Sequence, residues 1–160
     1  MKTTRSLPPA EECNCFAARA VARRLSHSYD RFLAPSGLRI TQLSLLTRLK
    51  RNGSLTINAL ADDMVMDRTT LGRNVLPLQR DGLITIKPAA SDRRAKVLRL
   101  TDAGEQRLQA AREGWLRAQA QFEVAFGAER AAELRALLRA AATSALAPGT
   151  QVTQNGSTMS

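Results

Sequence analysis

Arg68-Thr69-Thr70-Leu71-Gly72-Arg73-Asn74-Val75, with Leu78 three residues further on, decides the fold of this chain. Leu71, Val75 and Leu78 recur at spacings of four and three, the apolar stripe of an amphipathic helix, and Asp67 stands where a capping side chain is wanted. At about 100° per residue, Thr69, Thr70, Arg73, Pro77 and Arg80 point away from that stripe. Upstream, Thr56-Ile57-Asn58-Ala59-Leu60-Ala61-Asp62-Asp63-Met64 places Ile57, Leu60, Ala61 and Met64 on one face behind a capping threonine, Thr56, and reads as a shorter helix joined through Val65-Met66. Downstream the period changes. After Asp81-Gly82, the runs Leu83-Ile84-Thr85-Ile86-Lys87 and Lys96-Val97-Leu98-Arg99-Leu100-Thr101 are rich in β-branched and apolar residues, and the link between them holds Pro88 and Asp92-Arg93-Arg94. Helix, helix, hairpin over residues 55–101 is a winged helix-turn-helix pattern.

Pro77 interrupts the second helix, because proline lacks an amide hydrogen and its ring clashes with the carbonyl four residues back. A kink or early loosening is expected there, leaving residues 67–74 as the part able to enter a groove. Leu55 is a candidate for a short third strand.

Outward from this stretch the chain reads as mainly α. Residues 1–10 hold Pro8 and Pro9 and no periodicity, as expected for a flexible arm. A first helix is expected to begin near Glu11, and from Cys13 to Leu33 it has two apolar faces, one with Phe16, Ala20, Leu25, Ser28 and Phe32, the other with Cys15, Ala18, Ala22, Tyr29 and Leu33. A helix apolar on two sides needs two partners, here its own domain and a second copy of the chain. Thr41 is the expected cap of the next helix, which has Leu43, Leu46 and Leu49 at core spacing and stops at Asn52-Gly53. After Thr101, which caps a long helix, Leu108, Ala111, Trp115, Ala118, Phe122 and Phe126 step by three or four until Gly127. A last helix from about 128 to 145 puts Leu134, Leu137, Leu138 and Ala141 together. Residues 147–160 carry no charge and little apolar content, the composition of a disordered tail. The expected organisation is a winged helix-turn-helix lobe over 35–101 flanked by helical segments over 11–34 and 102–146.

With 160 residues and 44% hydrophobic composition the chain suits one small core. Twenty-four Lys and Arg against fourteen Asp and Glu leave a formal charge of +10, the footprint of a phosphate-bearing partner. Residues 48–101 alone hold eleven Lys or Arg against five Asp, a net of +6. No apolar run reaches the ~18 residues of a membrane span, and the opening residues have no signal-peptide core, so the expected location is the cytoplasm. Two cysteines, Cys13 and Cys15, do not make a disulfide framework. No carboxylate pair, Cys-His pair, glycine-rich phosphate loop or metal cluster marks an enzyme, a metal site or a bound cofactor.

Three local signatures, the quoted 68–75 run, Asp92-Arg93-Arg94, and Leu100-Thr101-Asp102-Ala103-Gly104, resemble those of the MarR family of bacterial transcription regulators, and the order of elements matches over residues 11–145. The resemblance implies a homodimer, with first and last helices intertwined, that reads double-stranded DNA at a pseudo-palindromic operator. It implies that 35–101 is a DNA-binding lobe and that 11–34 and 102–146 form a helical dimerisation region. It implies repression relieved by a small phenolic or carboxylate aromatic ligand, or by an oxidant. In such a complex Arg68, Thr69, Thr70 and Arg73 face the major groove, with Arg73 the best candidate for a bidentate guanine contact. Arg94 enters the minor groove, oriented by Asp92, while Arg93 and Lys96 meet phosphate.

For the signal, the candidate ligand residues are His27, Ser28, Leu43, Ser44, Leu46, Thr47 and Arg48, between the first two helices, the long fifth helix and the DNA-binding lobe. Each also has a plain packing or surface reading. Cys13-Asn14-Cys15-Phe16-Ala17 resembles the start of the family's organic-hydroperoxide sensors, with Cys15 at the sensing position and Tyr29 matching one supporting tyrosine. Arg19 and Ile40 stand where that subgroup has two others, so a structural cysteine stays open beside a peroxide or thiol-oxidation sensor. A sequence-blind architectural DNA binder is the alternative of another class.

Overall fold

The computed structural model describes residues 9–89 and 95–144. A short 3-10 turn, Ala10–Glu12, leads into helix α1 (Asn14–Leu33), and a second, Ala34–Ser36, ends at Gly37 with φ of 71°. Helix α2 (Ile40–Asn52), strand β1 (Leu55–Thr56), helix α3 (Ile57–Asp63) and helix α4 (Arg68–Arg80) follow. Strands β2 (Ile84–Pro88) and β3 (Lys96–Leu100) precede the long helix α5 (Asp102–Phe126) and helix α6 (Ala128–Thr143). This is the expected mainly α chain with a small β wing.

The described chain divides into a unit through residue 118 and a unit from 119. In the first, Leu45 and Leu46 of α2, Leu60 of α3, Leu71 and Leu78 of α4, Ile84 of β2 and Leu98 of β3 are all essentially sealed from water. Burying a side chain of this size contributes about 1.5 to 3 kcal/mol, so the stripes read from sequence are what hold the lobe together.

The sheet is antiparallel in the order β1-β3-β2, with Leu55 opposite Leu98 and Ile86 opposite Leu98 on its other side. Leu55 therefore does add a third strand. Alternation along β3 sets exposed Arg99 on the face opposite buried Leu98, while Lys96, on the same face as Leu98, is exposed at the strand end. Pro88 sits at the strand end, opposite Lys96, where proline is tolerated.

Caps follow the sequence in three cases. Thr56 Oγ1 accepts from Ala59 N, Asp67 Oδ1 from Thr70 N at 2.8 Å, and Thr101 Oγ1 from Gly104 N at 3.0 Å. The expected cap Thr41 is corrected. Helix α2 begins at Ile40 with Arg39 in the cap position, two residues earlier, where Asp30 Oδ1 accepts from Ile40 N at 2.7 Å and Gln42 Oε1 accepts from Arg39 N at 2.9 Å. Helix α4 runs on past Pro77 to Arg80, with Asp81 N donating to Pro77 O, and stops at Asp81 as expected.

The Leu-Thr-x-x-Gly signature has a physical cause. Thr101 donates from its hydroxyl to Gly82 O at 2.7 Å and from its amide to Leu83 O at 3.1 Å, tying the start of α5 to the turn before β2. The backbones meet so closely that a Cβ on Gly104 would lie 2.2 Å from Leu83 O, so only glycine fits.

The first half of α1 is largely exposed, Phe16 included at 48%, while Tyr29 and Leu33 in its second half join the core. In the unit from 119, Phe122 and Phe126 stack at 5.3 Å, Arg130 lies 4.5 Å over Phe126, and Arg135 pairs with Glu123 at 3.2 Å. Gly127, at φ of 94°, separates α5 from α6. Ala131 is buried, whereas Leu137 and Leu138 are exposed. The arm over 1–8 and the tail over 145–160 lie outside the described residues.

Candidate nucleic-acid interface and ligand cleft

Helix α4 turns one face to the core through Leu71, Val75 and Leu78 and the other to solvent through Arg68, Thr69, Thr70 and Arg73. The Asp67 carboxylate takes both the amide and the hydroxyl of Thr70. Those bonds hold the Asp67 carboxyl below its usual range, and they commit the Thr70 hydroxyl's proton to the cap. Arg68 and Arg73 carry no ion pair among the described residues, whereas Arg80 is paired with Asp81 at 3.1 Å. Lys96 is exposed at the start of β3. Asp92, Arg93 and Arg94 lie outside the described residues.

A cleft of about 540 Å³ opens between α2, the end of α3 and α5. It gathers Leu43, Ser44, Thr47 and Arg48 of the sequence-derived set, and adds Ile40, Lys50, Met64, Leu108, Gln109, Arg112 and Trp115. Leu46 instead lies fully buried in the core, and His27 and Ser28 line a separate groove with Arg23, Arg24 and Arg31. The added α5 residues were legible in part, since Leu108, Arg112 and Trp115 fall at spacings of four and three along a helix whose apolar stripe was plain. Ser44 and Thr47 donate their hydroxyls to Ile40 O and Leu43 O within α2, leaving oxygen lone pairs for a ligand. Among the described residues three cations and no carboxylate line the cleft, beside the apolar walls of Leu43, Leu108 and Trp115.

Cys13 and Cys15 are both exposed, at the start of α1. Tyr29 of the same chain stands fourteen residues along that helix, about 21 Å away at 1.5 Å per residue, so any tyrosine support for Cys15 has to come from a second copy. Among the described residues no group of three or more His, Cys, Asp or Glu is placed to hold a metal ion, and no helix is long and apolar enough to cross a membrane.

A capped helix with a polar outer face, preceded by a short helix and followed by a three-stranded sheet, defines a winged helix-turn-helix protein. Residues 38–96 match the model of the MarR family. The M. tuberculosis transcriptional regulator MosR, solved in complex with DNA, is 37% identical, with a TM-score of 0.70, covering 82% of this chain and 97% of its own. The chain belongs to the MarR family of transcriptional regulators. Two more distant structures share the fold. They are PcaV of Streptomyces coelicolor with its natural ligand (21% identical, 88% of this chain, 99% of that one, TM-score 0.75), and a mutant MarR of E. coli with operator DNA (18%, 78%, 90%, 0.71). No curated protein sequence matches the chain.

Proposed function

We propose that the protein is a homodimeric repressor that reads a pseudo-palindromic DNA site through α4 and lets it go when a small aromatic acid fills the cleft. The observation that carries the DNA reading is the exposed row Arg68, Thr69, Thr70 and Arg73 on a helix fixed by its cap and its buried stripe. A cation without a carboxylate partner on a rigid helix gives up no existing bond when it meets a phosphate or a guanine edge. MosR, in complex with DNA, supports the same reading. Arg93, Arg94 and Lys96 extend the contact through the wing, with Arg94 in the minor groove. Residues 35–101 are the reading lobe, and the segments over 11–34 and 102–146 supply the dimer. Exposed Phe16 and Val21 on α1, and Leu137 and Leu138 on α6, are apolar surface of the kind a second copy covers.

Three cations beside apolar walls and one indole suit an aromatic carboxylate: the ring takes the walls and the carboxylate takes a guanidinium. The DNA reading is tested by fluorescence anisotropy on the DNA upstream of the coding region against a scrambled duplex. The expected preference is on the order of 10³ or more at physiological salt, and a ratio near one would mean a sequence-blind architectural binder.

The exposure of Cys13 and Cys15 favours a second reading of the signal, in which a hydroperoxide oxidises Cys15 to the sulfenic acid and is itself reduced to the alcohol. Release of DNA by cumene hydroperoxide from wild type but not from Cys15→Ser, with no release by aromatic acids, would select it.

A further inference from the structure

The three cations of the cleft are held differently. Arg48 donates from Nη1 to Asp63 Oδ1 at 3.0 Å, Lys50 Nζ lies 2.7 Å from Glu105 Oε1, and Arg112 has no ion pair among the described residues. The Arg48–Asp63 pair is part-buried, and Asp63 Oδ2 is shut off from solvent with no hydrogen-bond partner among the described residues. A carboxylate in that condition has given up hydration on one oxygen that the single bond on the other does not return.

Asp63 is also the last residue of α3. Met64, next along, lines the cleft, and Val65 has φ of 51°, where a β-branched residue is a true outlier. Asp67 then caps α4. Four residues thus lead from the ion pair at the cleft wall to the cap of the helix that faces DNA, and Met66 N bonded to Ala61 O at 2.9 Å keeps the join short.

Resting on the ligand reading above, we propose that the Arg48–Asp63 pair is a latch that an aromatic carboxylate opens by exchange. The incoming carboxylate binds Arg112 and takes Arg48 from Asp63. Arg48 trades one carboxylate for another, and Asp63 turns to water and regains the solvation its Oδ2 lacks. The corner over 63–67, no longer fastened to α2, loosens and shifts the start of α4. The carboxylate of the ligand is therefore the signal, and a neutral isostere that fills the same volume leaves the latch shut.

Trp115 is the single tryptophan and lines the cleft, so its fluorescence reports occupancy in the full-length protein. Salicylate and its neutral amide are the probes, in wild type, Asp63→Asn and Arg48→Gln, with thermal melts confirming that each variant is folded. Asp63→Asn is expected to bind salicylate about five- to tenfold more tightly than wild type, because no carboxylate competes for Arg48, with unchanged affinity for salicylamide. Hydrogen exchange at amides 64–70 is expected to quicken when salicylate saturates wild type. It should already be fast in unliganded Asp63→Asn and Arg48→Gln, with no further gain from ligand. Equal salicylate affinity in wild type and Asp63→Asn, or exchange at 64–70 that salicylate leaves untouched, overturns the latch while leaving the cleft as a ligand site. No response of Trp115 to salicylate in any of the three proteins overturns the ligand reading and the latch together.

Discussion

Helices α2 and α4 are each thirteen residues long and each buries an aliphatic stripe in the same core, yet their outward cations are set up for different partners. On α4, Arg68 and Arg73 stand in solvent with no ion pair among the described residues. On α2, Arg48 and Lys50 are tied to Asp63 and Glu105 at the edge of a cleft. An unpaired cation on a fixed helix is ready for a polyanion, and binding there is governed by phosphate and base contacts. A paired cation answers only to a ligand able to replace its carboxylate, which makes the second helix suited to discriminate and to transmit. Under the functions proposed above, one pattern of burial serves reading on one helix and sensing on the other.

The buried sides of the two helices should be equally sensitive. Leu71→Ala and Leu46→Ala are each expected to destabilise the protein by about 2 to 5 kcal/mol in urea unfolding, since both side chains are sealed in the core; a loss under about 1 kcal/mol in one of them would break the symmetry. The cleft and the DNA-facing helix should separate cleanly. Arg112→Gln, on α5 across the cleft from α2, is expected to weaken salicylate binding about tenfold, the loss of one charge-assisted contact, with DNA affinity by anisotropy left as in wild type, and a parallel fall in DNA affinity would show that the cleft and α4 do not divide the work. The smallest effect is at the cap. Thr70 holds the Asp67 carboxyl below the usual value of about 3.9, so its contribution is fully present above that pH and is lost as the pH falls through the depressed value. Asp67→Asn should therefore melt below wild type at pH 7 and level with it at about pH 2, as followed by circular dichroism. A gap of the same size at both would place the cap's effect outside the charge.

How much of this was legible in the sequence follows the range of each interaction. Periods of 3.6 and 2 are local, so α3, α4 and the β2–β3 hairpin could be read from Leu60, Leu71, Val75, Leu78, Ile84 and Leu98, and the caps Thr56, Asp67 and Thr101 from their neighbours. The cap of α2 was misread because half of it comes from Asp30, ten residues upstream on another helix. The cleft was half legible for the same reason. Ser44, Thr47 and Arg48 share a face of α2, but whether Arg112 and Trp115 of α5 join them, and whether Leu46 turns inward, depends on packing between elements. Nothing in the local pattern links Arg48 to Asp63 fifteen positions later, nor marks the Asp63 oxygen left unpartnered.

Reading of DNA by an α4 side chain is tested most directly by Arg73→Ala. Anisotropy titrations of wild type and variant against the upstream duplex and a scrambled duplex give two specificity ratios. Loss of a bidentate guanine contact, about 1 to 3 kcal/mol, should lower the ratio some ten- to hundredfold while changing affinity for scrambled DNA only slightly. An unchanged ratio, with affinity for both duplexes intact, would contradict a reading role for Arg73 and α4.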